Sequence, residues 1–206
     1  MRGRFLAFEG GEASGKSTQS ARLAARLDAV LTREPGGTAV GTKMRGVLLD
    51  PDTHLVDRAE ALLMAADRAQ HVAEVVEPAL DAGRHVVTDR YAGSSLAYQG
   101  YGRGLPLDEV RMLSEWATCG LWPDVTLLLD VPVELASARQ TGRPDRLEAA
   151  GDDFHRRVGD GFRALARQHG DSWVVVDGTL GPDDVEERVW AAVVERCPDL
   201  AVRADR

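Results

Sequence analysis

A nine-residue segment near the amino terminus combines glycines, a lysine and three hydroxyl side chains at a fixed spacing. Residues 10–18 fit the pattern of Gly, any four residues, Gly, Lys, and Ser or Thr. In such a loop the backbone N–H groups surround an anion, and the following helix adds its positive end. Lys16 can then reach the β- and γ-phosphates of a nucleotide, while Ser17 can bind its Mg²⁺. The predicted phosphate-binding set is Gly10, Gly11, Glu12, Ala13, Ser14, Gly15, Lys16, Ser17 and Thr18.

The segments on either side of this loop must hold it in place. Residues 4–9 are mostly apolar, as in a buried strand, and residues 19–27 repeat leucine and alanine at helical spacing. A strand, a loop and a helix in this order form the context that the motif requires. We therefore interpret residues 10–18 as a phosphate-binding loop rather than a chance match.

A second charged candidate follows the next predicted strand, residues 29–31. Residues 32–38 contain Pro35 and a glycine pair, which exclude a helix. A charged residue at the carboxyl end of a parallel strand is well placed to bind a ligand, so Arg33 is a candidate phosphate ligand. Considered alone, a solvated turn with one exposed arginine explains this segment about as well.

A long helix is predicted over residues 57–80, with a kink or break near Pro78. Met64 and Arg68 lie four residues apart on one face, so they can address the same ligand. The alternative is a solvated arginine beside an incidental methionine. The face predicted to meet the core contains Ala59, Leu62, Ala66, Ala69, Ala73, Val76 and Leu80.

Asp89 and Arg90 directly follow a predicted strand, residues 84–88. Asp89 could hold Mg²⁺ through water or assist the attacking oxygen, and Arg90 could bind a phosphoryl group. A buried structural pair of these two residues explains the segment at least as well when it is taken alone.

Three arginines, Arg139, Arg143 and Arg146, lie among glycine and proline residues that disfavour a helix. This composition predicts an exposed, mobile lid over residues 139–150, whose cations could neutralise charge during phosphoryl transfer. An ordinary charged surface loop is the alternative.

The rest of the chain continues the alternation of strands and helices. Strands are predicted at residues 125–130 and 173–177, and helices at 108–118, 153–169 and 182–195, followed by a frayed tail after Cys197. A length of 206 residues fits one domain, covering residues 1–206.

The composition narrows the classes of partner. The formal net charge of −8 argues against a nucleic-acid surface, and we find no apolar run of membrane-spanning length. Two widely spaced cysteines suggest neither a disulfide framework nor a zinc site. We expect a cytoplasmic protein with no membrane partner.

Taken in order, five segments resemble the thymidylate kinase family along nearly the whole chain: residues 8–18, Thr-Arg-Glu-Pro-Gly-Gly-Thr at 32–38, Asp-Arg-Tyr at 89–91, Ala-Tyr-Gln-Gly at 97–100 and Leu-Asp-Val-Pro at 129–132. The resemblance implies a phosphate-loop fold with three α/β/α layers and a five-stranded parallel sheet. It also implies transfer of the γ-phosphoryl group of Mg-ATP to dTMP, a step of dTTP synthesis, by a homodimer.

The resemblance further assigns roles to individual positions. Lys16, Ser17 and Thr18 would bind ATP and Mg²⁺. Glu12 would lie near the 3′-hydroxyl group of dTMP. Arg33 and Arg90 would bind the phosphate of dTMP, and Arg68 would contact thymine. The nucleoside pocket would also contain Met64, Ser95, Tyr98 and Gln99.

Two positions differ among relatives. Some members carry a catalytic arginine in the phosphate loop, where this chain has Ala13 and Ser14, so its basic residues lie in the lid, as in the bacterial type. Met64 stands where a phenylalanine usually stacks on the base. Another nucleoside monophosphate kinase and a non-catalytic ATP-binding regulatory protein are the alternative functions.

Overall fold

The protein is described by a computed structural model that covers residues 2–139 and 143–201. Within these residues, five parallel strands form one sheet in the order β2-β3-β1-β4-β5. The predicted phosphate-loop α/β fold with a five-stranded parallel sheet is therefore confirmed. The strands are β1 (Phe5–Glu9), β2 (Val30–Arg33), β3 (Val86–Asp89), β4 (Val125–Asp130) and β5 (Trp173–Asp177).

Helices connect the strands and cover the sheet. They are α1 (Lys16–Leu27), α2 (Ala39–Leu49), α3 (Asp57–His71), α4 (Glu77–Asp81), α5 (Ala92–Ser95), α6 (Leu107–Ala117), α7 (Val133–Arg139), α8 (Asp152–Gln168) and α9 (Pro182–Arg196). Two π-helical segments, Val72–Val76 and Leu96–Gly102, and two 3₁₀ turns, Glu148–Ala150 and Pro198–Leu200, complete the described chain. None of the helices in these residues is long and apolar enough to cross a membrane.

The apolar strands are explained by burial on both faces of the sheet. Leu6 and Phe8 of β1 pack in a cluster that also contains residues of α1 and α9. Phe5 and Ala7, which alternate with them, pack in a second cluster with Val76 and Leu80 from the long helical region. Because neighbouring strand residues point to opposite faces, a strand covered on both sides needs an unbroken apolar run.

The predicted core-facing stripe of the long helix is wrong over most of its length. Leu62 is 58% exposed, whereas Glu60, Asp67 and Arg68 are buried. This helix covers a polar cavity as well as the apolar core, so its inner face carries charged side chains. Only the end of the stripe, at Val76 and Leu80, is buried as predicted.

The predicted break near Pro78 takes a different form. The chain remains helical from Asp57 to Asp81, but the segment Val72–Val76 is π-helical, and the N–H group of Glu77 donates to the carbonyl of Val72. Proline has no N–H group to donate within a helix, and here the irregular hydrogen bonding lies upstream of it.

Three further expectations need correction. Thr32 and Arg33 belong to strand β2 rather than to the loop after it. Helix α2, which follows that loop, was not predicted. The tail is not frayed immediately after Cys197, because the following turn buries Leu200. The predicted lid is not exposed throughout, because Leu147 is buried; its residues 140–142 lie outside the described chain.

Candidate active site

The carboxyl ends of three neighbouring strands bring the predicted phosphate ligands together. Phe8 of β1 and Arg33 of β2 are both in register with Asp89 of β3, and the phosphate loop starts where β1 ends. A cavity opens at this edge, as expected for a parallel sheet. We call it the phosphate cavity; it is lined by Glu12, Ala13, Ser14, Gly15, Lys16, Ser17, Thr18, Arg33, Glu34, Arg45, Asp89, Arg90 and Arg139.

The backbone of the phosphate loop requires glycine at two positions, Gly10 and Gly15. Gly10 has a φ of 145°, and a Cβ atom at this position would lie 2.6 Å from the carbonyl oxygen of Leu129. Gly15, with a φ of 93°, precedes α1. Both glycines therefore serve the close approach and sharp turn of the loop.

Lys16 is held inside this loop. Its Nζ donates to the carbonyl of Gly11 at 2.6 Å and to Ser14 Oγ at 3.1 Å. Burial, together with the nearby charge of Arg90, lowers the pKa of Lys16 to about 8. Its hydrogen bonds go to neutral oxygens, so this buried ammonium group is well suited to bind phosphate oxygens.

Ser17 and Asp89 form a pair that fits a magnesium ion carried by a nucleotide. Ser17 Oγ donates to Asp89 Oδ2 at 2.6 Å, and Asp89 Oδ1 is buried without a hydrogen-bond partner among the residues that the structure describes. Mg²⁺ prefers oxygen ligands and often uses one or two from the protein, with water and phosphate supplying the others. Within residues 2–139 and 143–201, no group of three or more His, Cys, Asp or Glu side chains is placed to hold a metal ion without other ligands.

Arg90 connects the phosphate loop to the helix that follows β3. Its Nη1 donates to the carbonyl of Gly10 at 2.8 Å and to Ser94 Oγ at 3.1 Å, and its Nη2 donates to Glu12 Oε1 at 2.7 Å. Burial raises the pKa of Glu12, but the charges of Arg90 and Lys16 outweigh it and lower that pKa to about 2. Arg90 is thus paired with Glu12, not with its neighbour Asp89 as the structural alternative supposed.

A second cavity adjoins the first, and we call it the nucleoside cavity. Arg68, which is 2% exposed, donates from Nε to Glu34 Oε2 at 2.8 Å and from Nη2 to Ser95 Oγ at 3.0 Å. All five residues predicted for the nucleoside pocket lie here. The lining is Glu12, Glu34, Pro35, Arg45, Leu49, Met64, Arg68, Arg90, Tyr91, Ser94, Ser95, Tyr98, Gln99, Asp145 and Leu147.

Arg45 is a site residue that the sequence reasoning missed. It lines both cavities, and its Nη1 donates to the carbonyl of Pro35 at 2.9 Å. It belongs to the helix α2, which was not predicted. The sequence signal for that helix is Thr38, since threonine is a common residue at the start of a helix. In the structure Thr38 Oγ1 accepts from the N–H group of Gly41 at 2.9 Å and so caps α2.

The three predicted lid arginines lie in different places. Arg139 lines the phosphate cavity and donates to the carbonyl of Gly178 at 3.0 Å. The side chain of Arg143 is 75% exposed and lies 3.6 Å from Asp52. Arg146 Nη1 donates instead to Glu60 Oε2 at 2.7 Å, so the structure does not bring Arg143 or Arg146 to the phosphate cavity.

Comparison with known proteins shows the family to which the chain belongs. The thymidylate kinase family model matches residues 8–189. A thymidylate kinase from Deinococcus radiodurans is 49% identical over 201 residues, which cover 94% of this chain and 98% of that protein. One from Bifidobacterium longum (strain NCC 2705) is 49% identical over 210 residues, covering 98% and 100%. The crystal structure of thymidylate kinase from Ehrlichia chaffeensis superposes with a TM-score of 0.77 at 29% identity, covering 94% of this chain and 99% of that one. The chain therefore belongs to the thymidylate kinase family.

Proposed function

We propose that this chain is a thymidylate kinase that transfers the γ-phosphoryl group of Mg-ATP to dTMP, giving dTDP and ADP. The observation that carries the proposal is the sharing of Glu12, Glu34, Arg45 and Arg90 by the two cavities. Two ligands bound in adjoining cavities bring their phosphates together at the shared cations. Such positioning accounts for much of the catalysis in phosphoryl transfer.

In this proposal the phosphate cavity binds ATP. The N–H groups of the phosphate loop and the ammonium group of Lys16 bind the β- and γ-phosphates, and Thr18 lies beside them. Ser17 and Asp89 would hold Mg²⁺, which supplies charge neutralisation on those phosphates. Arg139 adds a cation at the wall of the same cavity.

The nucleoside cavity then binds dTMP with its phosphate toward Arg90 and Arg45. Arg33, at the end of β2, adds a third cation on the side of the phosphate cavity. Glu12 remains ionised at neutral pH because its pKa is about 2, so it can accept a hydrogen bond from the 3′-hydroxyl group. The base lies against Met64, Arg68 and Gln99.

A coupled assay of ADP release tests this proposal. Purified protein is offered ATP and a panel of nucleoside monophosphates, with and without Mg²⁺. We expect Mg²⁺-dependent turnover that is highest with dTMP. Equal or greater turnover with another monophosphate would indicate a different kinase of this class, and tight ATP binding with no turnover would indicate a regulatory protein.

We further propose that residues 1–206 act as one catalytic domain and that two copies pair in the cytoplasm. Support for pairing comes from an apolar surface on α3 and α6, where Leu62, Met112 and Trp116 are 58%, 66% and 80% exposed. Large exposed apolar side chains that cluster on adjacent helices are typical of an interface. A second copy of the chain is the partner that the family resemblance implies.

A further inference from the structure

Glu60 of α3 lies behind the nucleoside cavity and is fully buried. Its Oε1 accepts hydrogen bonds from Gln99 Nε2 at 2.9 Å and Arg103 Nε at 3.2 Å. Its Oε2 accepts from Arg103 Nη2 at 2.9 Å and Arg146 Nη1 at 2.7 Å. Burial raises the pKa of this carboxyl group, but the hydrogen bonds from Arg103 and Gln99 outweigh it and leave the pKa lowered. Glu60 is therefore an ionised group at neutral pH.

The charge of Glu60 determines which way the amide of Gln99 points. An ionised carboxylate can only accept hydrogen bonds, so Gln99 must face it with its NH₂ group. This removes the usual ambiguity between the oxygen and nitrogen of a glutamine amide. Because the two amide atoms point in different directions, the carbonyl Oε1 is the atom left for a ligand in the nucleoside cavity, which Gln99 lines.

The nucleoside cavity offers a hydrogen-bond acceptor, the carbonyl oxygen of Gln99, and a donor, the guanidinium group of Arg68. This pair matches a pyrimidine that presents one donor next to one acceptor. Thymine and uracil present a carbonyl oxygen at position 4 beside an N3–H donor. Cytosine presents an amino group beside an unprotonated N3, which reverses both polarities. A site whose acceptor and donor are buried rejects the reversed pattern because two polar pairs would be left unsatisfied.

We propose that Glu60 is a positioning residue that holds the Gln99 carbonyl toward the base and thereby makes the site select thymine and uracil over cytosine. This inference rests on the proposed function. The 5-methyl group that separates thymine from uracil carries no hydrogen bond, so Glu60 has no part in that distinction.

The substitution Glu60→Gln tests the proposal, because a glutamine both donates and accepts and so allows the Gln99 amide to rotate. The measured quantities are two ratios of kcat/KM, dUMP to dCMP and dTMP to dUMP. We expect the first ratio to fall at least about tenfold, while the second stays within about twofold. A merely structural role for Glu60 would lower stability or all three activities without changing the first ratio selectively.

Two further variants guard against a folding defect. Glu60→Gln combined with Arg103→Gln removes one anion and one cation, so the net charge of the buried cluster is kept, and the first ratio should fall as in the single variant. Asp124→Asn is a control for the loss of an arginine-paired carboxylate, because Asp124 accepts from Arg4 at 3.0 Å and from the backbone N–H group of Phe5 at 2.7 Å, on the surface and away from the nucleoside cavity. Its two ratios should equal those of the wild type.

The outcomes separate this inference from the proposed function. Wild-type protein that prefers dTMP, with an unchanged dUMP to dCMP ratio in either folded Glu60 variant, would overturn the inference alone. An equal fall of both ratios would also overturn it, because the pocket would then have loosened generally. Wild-type protein that uses dCMP as well as dTMP would overturn the proposed function and the inference together, whereas equal use of dTMP and dUMP would count against the proposed function alone.

Discussion

Individual charged residues of the site differ in protonation because burial and neighbouring charges act on them in opposite directions. Glu12 and Glu9 are both carboxylates near Arg90, but the side chain of Glu12 is 24% exposed and Glu9 is fully buried; the pKa of Glu12 is about 2 and that of Glu9 is raised to about 7. Glu12 accepts directly from Arg90, whereas Glu9 accepts from Ser94 and from backbone N–H groups, which do not compensate for its burial. Direct contact with a cation and partial exposure lower the pKa of Glu12, whereas complete burial raises that of Glu9.

The lowered pKa of Lys16 predicts a pH limit on ATP binding. In the free enzyme Lys16 is charged below its pKa of about 8 and loses its proton above it. We expect kcat/KM for ATP to fall about tenfold per pH unit above pH 8. Bound phosphates raise the pKa of the ammonium group, so kcat should stay constant to higher pH.

Lys16→Arg provides the control, since a guanidinium group stays charged over this range. Its activity should be lower, but the decline above pH 8 should disappear. A decline of the same shape in this variant, or a flat profile to pH 9.5 in the wild type, would contradict the prediction.

With methionine at position 64, we expect a weaker contact with the base than an aromatic ring would make. A thioether packs on a ring but does not stack, so Met64→Phe should gain about 1 kcal/mol, which lowers the KM for dTMP several-fold. The KM for ATP should not change, because Met64 lines only the nucleoside cavity of the two. Met64→Leu, similar in size and not aromatic, should show no gain. An unchanged or raised KM for dTMP in folded Met64→Phe would show that α3 does not face the base.

Single elements show where sequence reasoning succeeds and where it stops. The bounds of strands β4 and β5 match the predicted residues 125–130 and 173–177. For β4 the physical reason is that a strand covered on both faces needs an unbroken apolar run. The buried face of α3 was predicted wrongly because Glu60, Asp67 and Arg68 are buried with hydrogen-bond partners from other segments of the chain. Hydrophobic periodicity does not detect a buried face of this kind.

The site shows the same division. Arg33 and Asp89 are the last residues of their strands, and the phosphate loop and Arg90 directly follow strands, so their convergence could be predicted from a parallel sheet. The place of Arg45 in the site could not be predicted, because it lies on helix α2, which was not predicted. The path of residues 34–45 brings this side chain to both cavities. The separate positions of the lid arginines depend on long-range partners such as Glu60, which no local pattern reveals.

The different positions of Arg139 and Arg143 predict different kinetic effects when each is replaced by alanine. Arg139 already lines the phosphate cavity, so Arg139→Ala should mainly raise the KM for ATP. Arg143 has only a loose pairing with exposed Asp52, so it is free to approach the phosphoryl group during the reaction. Arg143→Ala should therefore lower kcat at least about tenfold with a smaller effect on KM.

Steady-state kinetics of both variants decide this assignment. A kcat loss below tenfold in Arg143→Ala, with a larger loss in Arg139→Ala, would transfer the transition-state role to Arg139. Arg146 is a weaker candidate for that role because its guanidinium group already pairs with buried Glu60.

For the whole molecule, pairing of two copies predicts a change of mass in solution. Met112→Glu places a charge on the exposed apolar surface of α6, and we expect light scattering after gel filtration to show a monomer where the wild type is a dimer. Val175→Glu is the control, because Val175 is 53% exposed on β5, outside that surface. A monomeric wild type, or a dimeric Met112→Glu, would contradict pairing through this face.

Transfer between the two adjoining cavities is tested most directly by following the γ-phosphoryl group itself. Wild-type protein is incubated with Mg²⁺, ATP labelled in the γ-phosphate, and an equimolar mixture of dTMP and other nucleoside monophosphates. We predict that the label appears predominantly in dTDP, in step with ADP formation and with little inorganic phosphate. Label that stays on ATP, is released as phosphate, or accumulates in another diphosphate would contradict the account.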